Sequence, residues 1–270
     1  MAALGNNSPV AWHLIAEAER LAYADRERYL ADSDFAPVPV AGLLAPDYLA
    51  ARSQLIAADH AMASVAAGSP PGAAIAQADT MTPDVPSTSH FVAIDRRGQV
   101  VSMTSTVESS FGSGLMVSGY FLNNELTDLS LIPERAGVLV ANRVEGGKRP
   151  RSSMAPTIVY GPDGALRLAI GAAGGTTIPA QVLKAIIAVI DWDLSAQDAI
   201  AQPVIFAPGG NTLFIEQGTA LEAMIPALQA LGHADVQPRG LPLKGNAIQI
   251  SGDRLFGAAD PRSEGAALSE

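Results

Sequence analysis

Three segments of this chain share one pattern: a run of alternating apolar and polar residues, a short turn, and a second such run. "HFVAID" and "VVSMTSTV" flank "RRGQ"; "TIVYG" and "ALRLAIG" flank "PDG"; "AIQIS" and "RLFGAAD" flank "GD". Period-two alternation across a Gly-containing turn predicts antiparallel hairpins. Elsewhere the period lengthens to that of a helix. This holds in "IPAQVLKAIIAVID", in "AQDAIAQ" behind the capping Ser195, and in "LEAMIPALQALG", which ends at Gly232. Hairpins interspersed with helices predict an α+β fold, an antiparallel sheet arrangement with helices packed outside it.

The first part of the chain has a different texture. Ser8 before Pro9 reads as an N-cap, and Leu14, Ala18, Leu21, Ala22 and Tyr29 follow on one helical face, with Glu17, Glu19 and Arg20 off it. "PDYLAARSQLIAADHAMA", residues 46–63, predicts a second helix. Residues 68–87, rich in Gly, Pro, Ala and Ser, lose all periodicity and read as a linker. With 270 residues and 48% hydrophobic content the chain can bury one sizeable core, as one large domain or two small ones. A formal net charge of −10 argues against nucleic-acid binding, which needs clustered Lys and Arg. No apolar run reaches the length of a membrane span, and the first residues lack the layout of a signal peptide. The chain reads as soluble. Its compartment stays open, cytoplasmic by default.

The residue inventory narrows the chemistry. The absence of cysteine excludes disulfides, thiolate metal sites and a Cys nucleophile. The four histidines, His13, His60, His90 and His233, fall in no metal-binding spacing, so no metal is expected and none is given a role. There is no G-x-S-x-G elbow and no G-x-G-x-x-G, and "GAAGG" lacks the Lys of a phosphate loop. What remains is a Ser or Thr activated by something other than His. One solution is a Thr whose own α-amino group is the base, which requires a cut just before it. An α-amino group titrates near pH 8, so a useful fraction is neutral at physiological pH. Thr88 and Ser89 sit where the linker meets a strand, a suitable place for such a cut. Composition alone favours the plainer reading, two polar residues that merely open the strand.

"TSHFVAID", "TSTVESSFGSG", "LNNELTDLS", "GKRPRSSMAPTIV" and "GAAGGTTIP" occur in that order. Together, and with the closing "GAADPRSEGAA", they resemble the γ-glutamyltranspeptidase family of N-terminal-nucleophile hydrolases. The resemblance covers residues 88–270 as that family's small subunit, and residues 1–87 resemble the tail of its large subunit. It implies a four-layer αββα sandwich, here incomplete because most of the large subunit is absent. It implies self-cleavage between Ser87 and Thr88, after which Thr88 attacks γ-glutamyl amides such as glutathione. By the same resemblance Thr106 hydrogen-bonds the nucleophile, and Gly174 and Gly175 form the oxyanion hole. Ser152 and Ser153 bind the substrate α-carboxylate, and Glu125 and Asp128 hold its α-ammonium group. No cofactor is implied. The implied partners are a γ-glutamyl donor, a water, amino-acid or peptide acceptor, and a large-subunit-like chain or a second copy. A periplasmic location is also consistent with the family.

Three departures qualify the match. Glu108 stands where many members have Asn, adding a third carboxylate to Glu125 and Asp128, with Arg149 or Arg151 as candidate counter-charges. Thr127 and Leu129 stand where Asp and Phe are frequent. No residue matches the large-subunit Arg that clamps the α-carboxylate in the family. The resemblance extends to acylases of the same fold, so removal of glutaryl-type acyl groups is the alternative reaction. A shortened, non-catalytic relative is the alternative of another class.

Overall fold

The computed structural model describes residues 1–73 and 88–269. The Ser87 side of the expected cleavage site, with most of the linker, lies outside the described residues. The elements in chain order are α1 (Pro9–Tyr29), α2 (Val40–Leu43) and α3 (Pro46–Ser53), then the hairpin β1 (Thr88–Ile94) and β2 (Val100–Thr106). Two small ladders follow, β3 (Met116–Val117) with β4 (Tyr120–Phe121), and β5 (Glu134–Arg135) with β6 (Val138–Leu139). Next come β7 (Thr157–Tyr160), β8 (Leu166–Ala173), α4 (Ile178–Ile190), α5 (Ala196–Ala201), β9 (Ile205–Phe206) and β10 (Thr212–Glu216). The chain closes with α6 (Ile225–Ala230), β11 (Asp235–Arg239), β12 (Lys244–Ser251) and β13 (Arg254–Ala259).

The three expected hairpins are present, and two of them merge. β12 pairs with both β13 and β8, and β8 with β7, giving a four-stranded antiparallel sheet in the order β13-β12-β8-β7. On one face α4 and α5 bury Ile178, Val182, Ala185, Ala199 and Ile200 against Leu168, Ile170, Ala172, Ala247 and Ala258. The β1–β2 hairpin lies across the other face. Ser102 Oγ donates to the Ile170 carbonyl at 3.1 Å, and Asn246 Nδ2 to the His90 carbonyl at 3.0 Å. Gly171 makes this close approach possible, because a Cβ there would stand 2.3 Å from the His90 ring. The layer order is helix, sheet, hairpin. Phe91, Val101 and Met103 on the outer side of the hairpin stay 49%, 49% and 46% exposed, as expected of an unfinished sandwich.

Several expectations need correction. The helix predicted over 46–63 stops at Ser53. Beyond it the backbone runs along α1, and side chains of α1 take its polar groups. His13 Nε2 meets the Ala57 carbonyl at 2.8 Å. Glu17 Oε2 accepts from the Met62 N–H at 2.7 Å, and Arg20 Nη1 donates to the Met62 carbonyl at 3.0 Å. Asp25 Oδ1 accepts from the Gly68 N–H at 2.7 Å, and the Tyr29 hydroxyl donates to the Gly68 carbonyl at 2.6 Å. These bonds replace the ladder a helix would have supplied. They also explain why Glu17 and Arg20, expected off the apolar face, are buried; Glu19, buried as well, accepts the Ala207 N–H at 2.9 Å. The helix predicted over "LEAMIPALQALG" is a 3₁₀ turn, Ala220–Met224, followed by α6, with Pro226 starting the second piece. A third sheet, β11-β10-β9, was not anticipated. β10 and β11 pair in parallel, so no hairpin turn announces them. With α1 this sheet buries Trp12, Ile15, Leu213, Ile215 and Leu228.

The buried histidines give the fold an acid limit. His13 Nδ1 and His233 Nε2 lie 2.8 Å apart, so with His13 Nε2–H donating to Ala57 the neutral pair closes as His233 N–H to His13 Nδ1. Burial pushes both His90 and His233 down to about 4. The unfolded chain therefore binds more protons between pH 6.5 and 4. This stability is complete above pH 6.5 and is lost as pH falls toward 4, by at most about 1.4 kcal/mol per pH unit per histidine. Glu19, pushed up to about 8 by burial, acts in the opposite sense between pH 4.5 and 8. The contribution of His233 is thus read as a difference. Denaturant midpoints of wild type and His233→Gln should converge as pH drops from 7 to 4; a constant gap would show that His233 does not titrate in this window.

Candidate active site

Thr88 opens β1 directly opposite Thr106, the last residue of β2. The pleat puts Thr88 and His90 on the inner side of the hairpin, and both are buried. Thr88 Oγ1 donates to Thr106 Oγ1 at 3.1 Å, and Thr106 Oγ1 accepts the Glu108 N–H at 2.8 Å. A hydroxyl has one proton and two lone pairs, so Thr106 can hold the Glu108 amide and exchange a hydrogen bond with Thr88 at once. Lys244 Nζ lies 3.5 Å from the Thr88 carbonyl oxygen.

One side of the cleft in front of Thr88 is acidic. Glu108 is 5% exposed and has φ of +75°, a left-handed conformation that Asn tolerates better than Glu. Its Oε2 accepts from Asn124 Nδ2, and Asn124 Oδ1 accepts from the Ser109 N–H at 3.1 Å, which holds this turn in place. Glu125 and Asp128 begin and end the 3₁₀ turn Glu125–Asp128. Asn142 ties that turn to the opposite wall. Its Nδ2 donates to the Asp128 carbonyl at 2.7 Å, and its Oδ1 accepts the Arg151 N–H at 3.0 Å.

The opposite wall carries Ser152 and Ser153. Ser152 Oγ accepts the Met154 N–H at 3.1 Å, and Ser153 Oγ accepts from Arg26 Nη2 at 2.5 Å. The proposed counter-charges for the acids are engaged elsewhere. Arg149 bonds Asp32 at 2.8 Å and Asp34 at 3.1 Å, holding the Asp32 carboxyl well below the usual carboxylate range. Arg151 Nη2 donates to Glu27 Oε2 at 2.7 Å.

The third wall is the turn between β8 and α4. Gly174 adopts φ 138° and ψ 22° and Gly175 φ 60°, and Gly175 begins a helical turn, Gly175–Thr177. Amides in a first turn have no carbonyl one turn earlier to bond, so they are available to an anion. The turn is braced from below. Thr177 Oγ1 donates to the Gly174 carbonyl at 2.9 Å. Gln181 Nε2 donates to the Ala173 carbonyl at 2.9 Å, and its Oε1 accepts the Lys244 N–H at 3.0 Å, joining the ends of β8 and β12.

Thr88, Thr106, Glu108, Glu125, Asp128, Ser152, Ser153 and Gly175 line a single open cleft of about 280 Å³, with Met154 and Ile178. Gly174 lies behind Gly175, against the Pro242 carbonyl. Of the positions expected from sequence only Ser87 falls outside the described residues. Arg26, Asn124, Asn142 and Gln181 were missed; Arg26 lies 127 residues from Ser153, and nothing local to it signals that meeting. Away from the cleft, His13, Glu17 and His233 are the His/carboxylate group among the described residues close enough to share a metal. Their ligand atoms bond one another, Arg20 and the Met62 N–H instead. No helix among the described residues is long and apolar enough to cross a membrane.

The chain is similar to known proteins in sequence and in fold. Residues 1–269 match the family model described as gamma-glutamyltranspeptidase. The chain is 37% identical over 270 residues to the glutathione hydrolase proenzyme of Bacillus subtilis (strain 168), covering 95% of this chain and 44% of that protein. It is 35% identical over 266 residues to the Acylase ACY 1 proenzyme of Pseudomonas sp. (strain V22), covering 97% and 44%. The chain thus spans about half the length of the curated relatives it matches. Among solved structures, the gamma-glutamyltranspeptidase of Pseudomonas nitroreducens complexed with L-DON superposes with a TM-score of 0.58 at 33% identity, over 67% of this chain and 98% of that one. A cephalosporin acylase from Bacillus halodurans shares the fold, with a TM-score of 0.81 at 23% identity over 99% of this chain and 46% of that one.

Proposed function

The chain belongs to the gamma-glutamyltranspeptidase family, and from that premise we propose that it is a self-processing N-terminal-threonine enzyme acting on γ-glutamyl amides such as glutathione. In maturation Thr88 Oγ1 attacks the Ser87 carbonyl carbon. The Ser87–Thr88 C–N bond breaks, leaving an ester on Oγ1 and a free α-amine on Thr88. Water then hydrolyses the ester, and residues 1–87 become a large-subunit-like tail beside a catalytic region, residues 88–270.

In catalysis the freed amine takes the Thr88 hydroxyl proton as Oγ1 attacks the γ-carbonyl carbon. Thr106 holds Oγ1 in place, and the Gly174 and Gly175 amides stabilise the oxyanion. The proton passes to the departing amine as the amide bond breaks. The γ-glutamyl ester is then transferred to water, an amino acid or a peptide. Ser152 and Ser153 hold the α-carboxylate, and Glu108, Glu125 and Asp128 the α-ammonium group. The Thr88–Thr106 hydroxyl pair at the head of the cleft is the observation that carries this reading. The exposed apolar side of β1–β2 supports association with a large-subunit-like chain or with a second copy.

Glutaryl-amide removal is the second reading, favoured by the identity to the ACY 1 acylases. A glutaryl group has no ammonium to set against three carboxyl groups, so the lining favours the γ-glutamyl reading. The test is intact-mass measurement of purified protein, followed by turnover of γ-glutamyl-p-nitroanilide and of a glutaryl anilide. Two fragments meeting at Ser87/Thr88, with the first substrate turned over, support the reading. A full-length species that persists on long incubation overturns it. Glu108→Gln should raise KM for the γ-glutamyl substrate about tenfold and leave the glutaryl amide unaffected.

A further inference from the structure

Arg26 bonds Ser153, a residue of the cleft lining, from the part of the chain that lies before the proposed processing site. It sits near the end of α1, is buried, and directs Nη2 at Ser153 Oγ from 2.5 Å. Its Nη1 donates to Glu27 Oε1 at 2.7 Å, so the guanidinium is held between Ser153 and Glu27, and its backbone carbonyl accepts from Arg151 Nη1 at 3.2 Å. Its Nε–H is buried with no acceptor.

We propose that Arg26 is the positioning residue of the carboxylate pocket, acting through Ser153 on any substrate that carries an α-carboxylate. The inference rests on the function proposed above. A guanidinium can only donate, so its N–H occupies one lone pair of Ser153 Oγ and turns the single hydroxyl proton away from Arg26. The Met154 N–H does the same for Ser152. Two neighbouring hydroxyls are thus set as donors, the form an anion requires. The positive charge of Arg26 adds an attractive potential from the protein side, where water is largely excluded and charge interactions are least screened. The tail segment therefore contributes to substrate binding as well as to the packing of the catalytic region.

The experiment measures binding by saturation-transfer NMR with three ligands: L-glutamate, glutarate, and 4-aminobutanoate, which is L-glutamate without its α-carboxylate. Arg26→Met should weaken L-glutamate and glutarate about tenfold and leave 4-aminobutanoate unchanged. Arg26→Lys, which keeps the charge and loses the fork geometry, should recover part of the loss and also serves if Arg26→Met fails to fold. Equal weakening of all three ligands, unchanged glutamate binding in both variants, or no glutamate binding to wild type each overturns the proposal. Self-cleavage, followed by mass in the same samples, reports separately on the proposed function, because it needs no carboxylate ligand.

Discussion

Thr88→Ala should remain one uncut chain under conditions in which wild type separates into two fragments, and should lose γ-glutamyl turnover by roughly 10⁴-fold or more. In the proposed mechanism one hydroxyl carries both steps. On that proposal it attacks the carbonyl of the residue before it in the uncut chain and, after the cut, the substrate. Alanine removes the oxygen that Thr106 holds at 3.1 Å and leaves the Glu108 amide bonded to Thr106. The hairpin should therefore keep its register, and a thermal midpoint close to that of wild type is part of the expected result. Thr88→Ser keeps the oxygen but loses the methyl group that restricts χ1, so it should cut and turn over more slowly without failing. Mass spectrometry across a time course separates these outcomes. Cleavage of Thr88→Ala at the same junction would assign the cut to another group and remove the basis for a threonine nucleophile.

Gly174→Ala should destabilise the fold by about 2–6 kcal/mol, from backbone strain of about 1–3 kcal/mol plus overpacking of similar size. Gly174 has φ 138°, a conformation that residues with a Cβ rarely adopt. A Cβ there would also stand 2.1 Å from the Pro242 carbonyl oxygen, 2.6 Å from Thr177 Oγ1 and 2.8 Å from Gln181 Nε2. The first of these is backbone, held beside β12, and cannot swing aside. Thr177 and Gln181 are committed to the carbonyls of Gly174 and Ala173 and would lose those bonds if they moved. The turn that carries Gly174 and Gly175 would open along with the sheet end beneath it. Gly98→Ala is the control. Gly98 also has a positive φ, +80°, but nothing lies within 4 Å of a Cβ there, so only the smaller backbone cost of about 1–2 kcal/mol applies. Urea denaturation measures both. Equal costs at the two sites would show that the Pro242 contact yields and that φ alone governs Gly174.

Wherever one residue type has a single physical use, the sequence was informative. Alternation around "RRGQ" predicted the β1–β2 hairpin, and Thr88 emerged opposite Thr106 in its register. Ser8 and Ser195 cap their helices as expected, accepting from the Ala11 and Asp198 amides. Sequence failed where one pattern serves two structures. "SQLIAADHAMA" has the composition of a helix, yet its backbone groups are taken by Glu17, Arg20 and the Leu231 carbonyl, the last accepting from the Ala61 N–H at 2.6 Å. "TLFIE" and "DVQPR" pair in parallel across an intervening helix, so neither carries a turn signal that would mark it as one strand of a pair.

The sequence by itself determined the three hairpins and the capped helices, the position of Thr88 at the head of a strand, and the order of the motifs that identify the family. The first two follow from side-chain period, capping chemistry or turn chemistry acting over a few residues, and the third from resemblance to the family. Only the tertiary structure decided that Arg26 meets Ser153, that His13 meets His233, that Arg149 turns to Asp32, and that Gly174 lies against Pro242. The period of a strand or helix fixes which side chains share a face. Which distant face it packs against depends on how the whole core closes, and no short stretch of sequence contains that information.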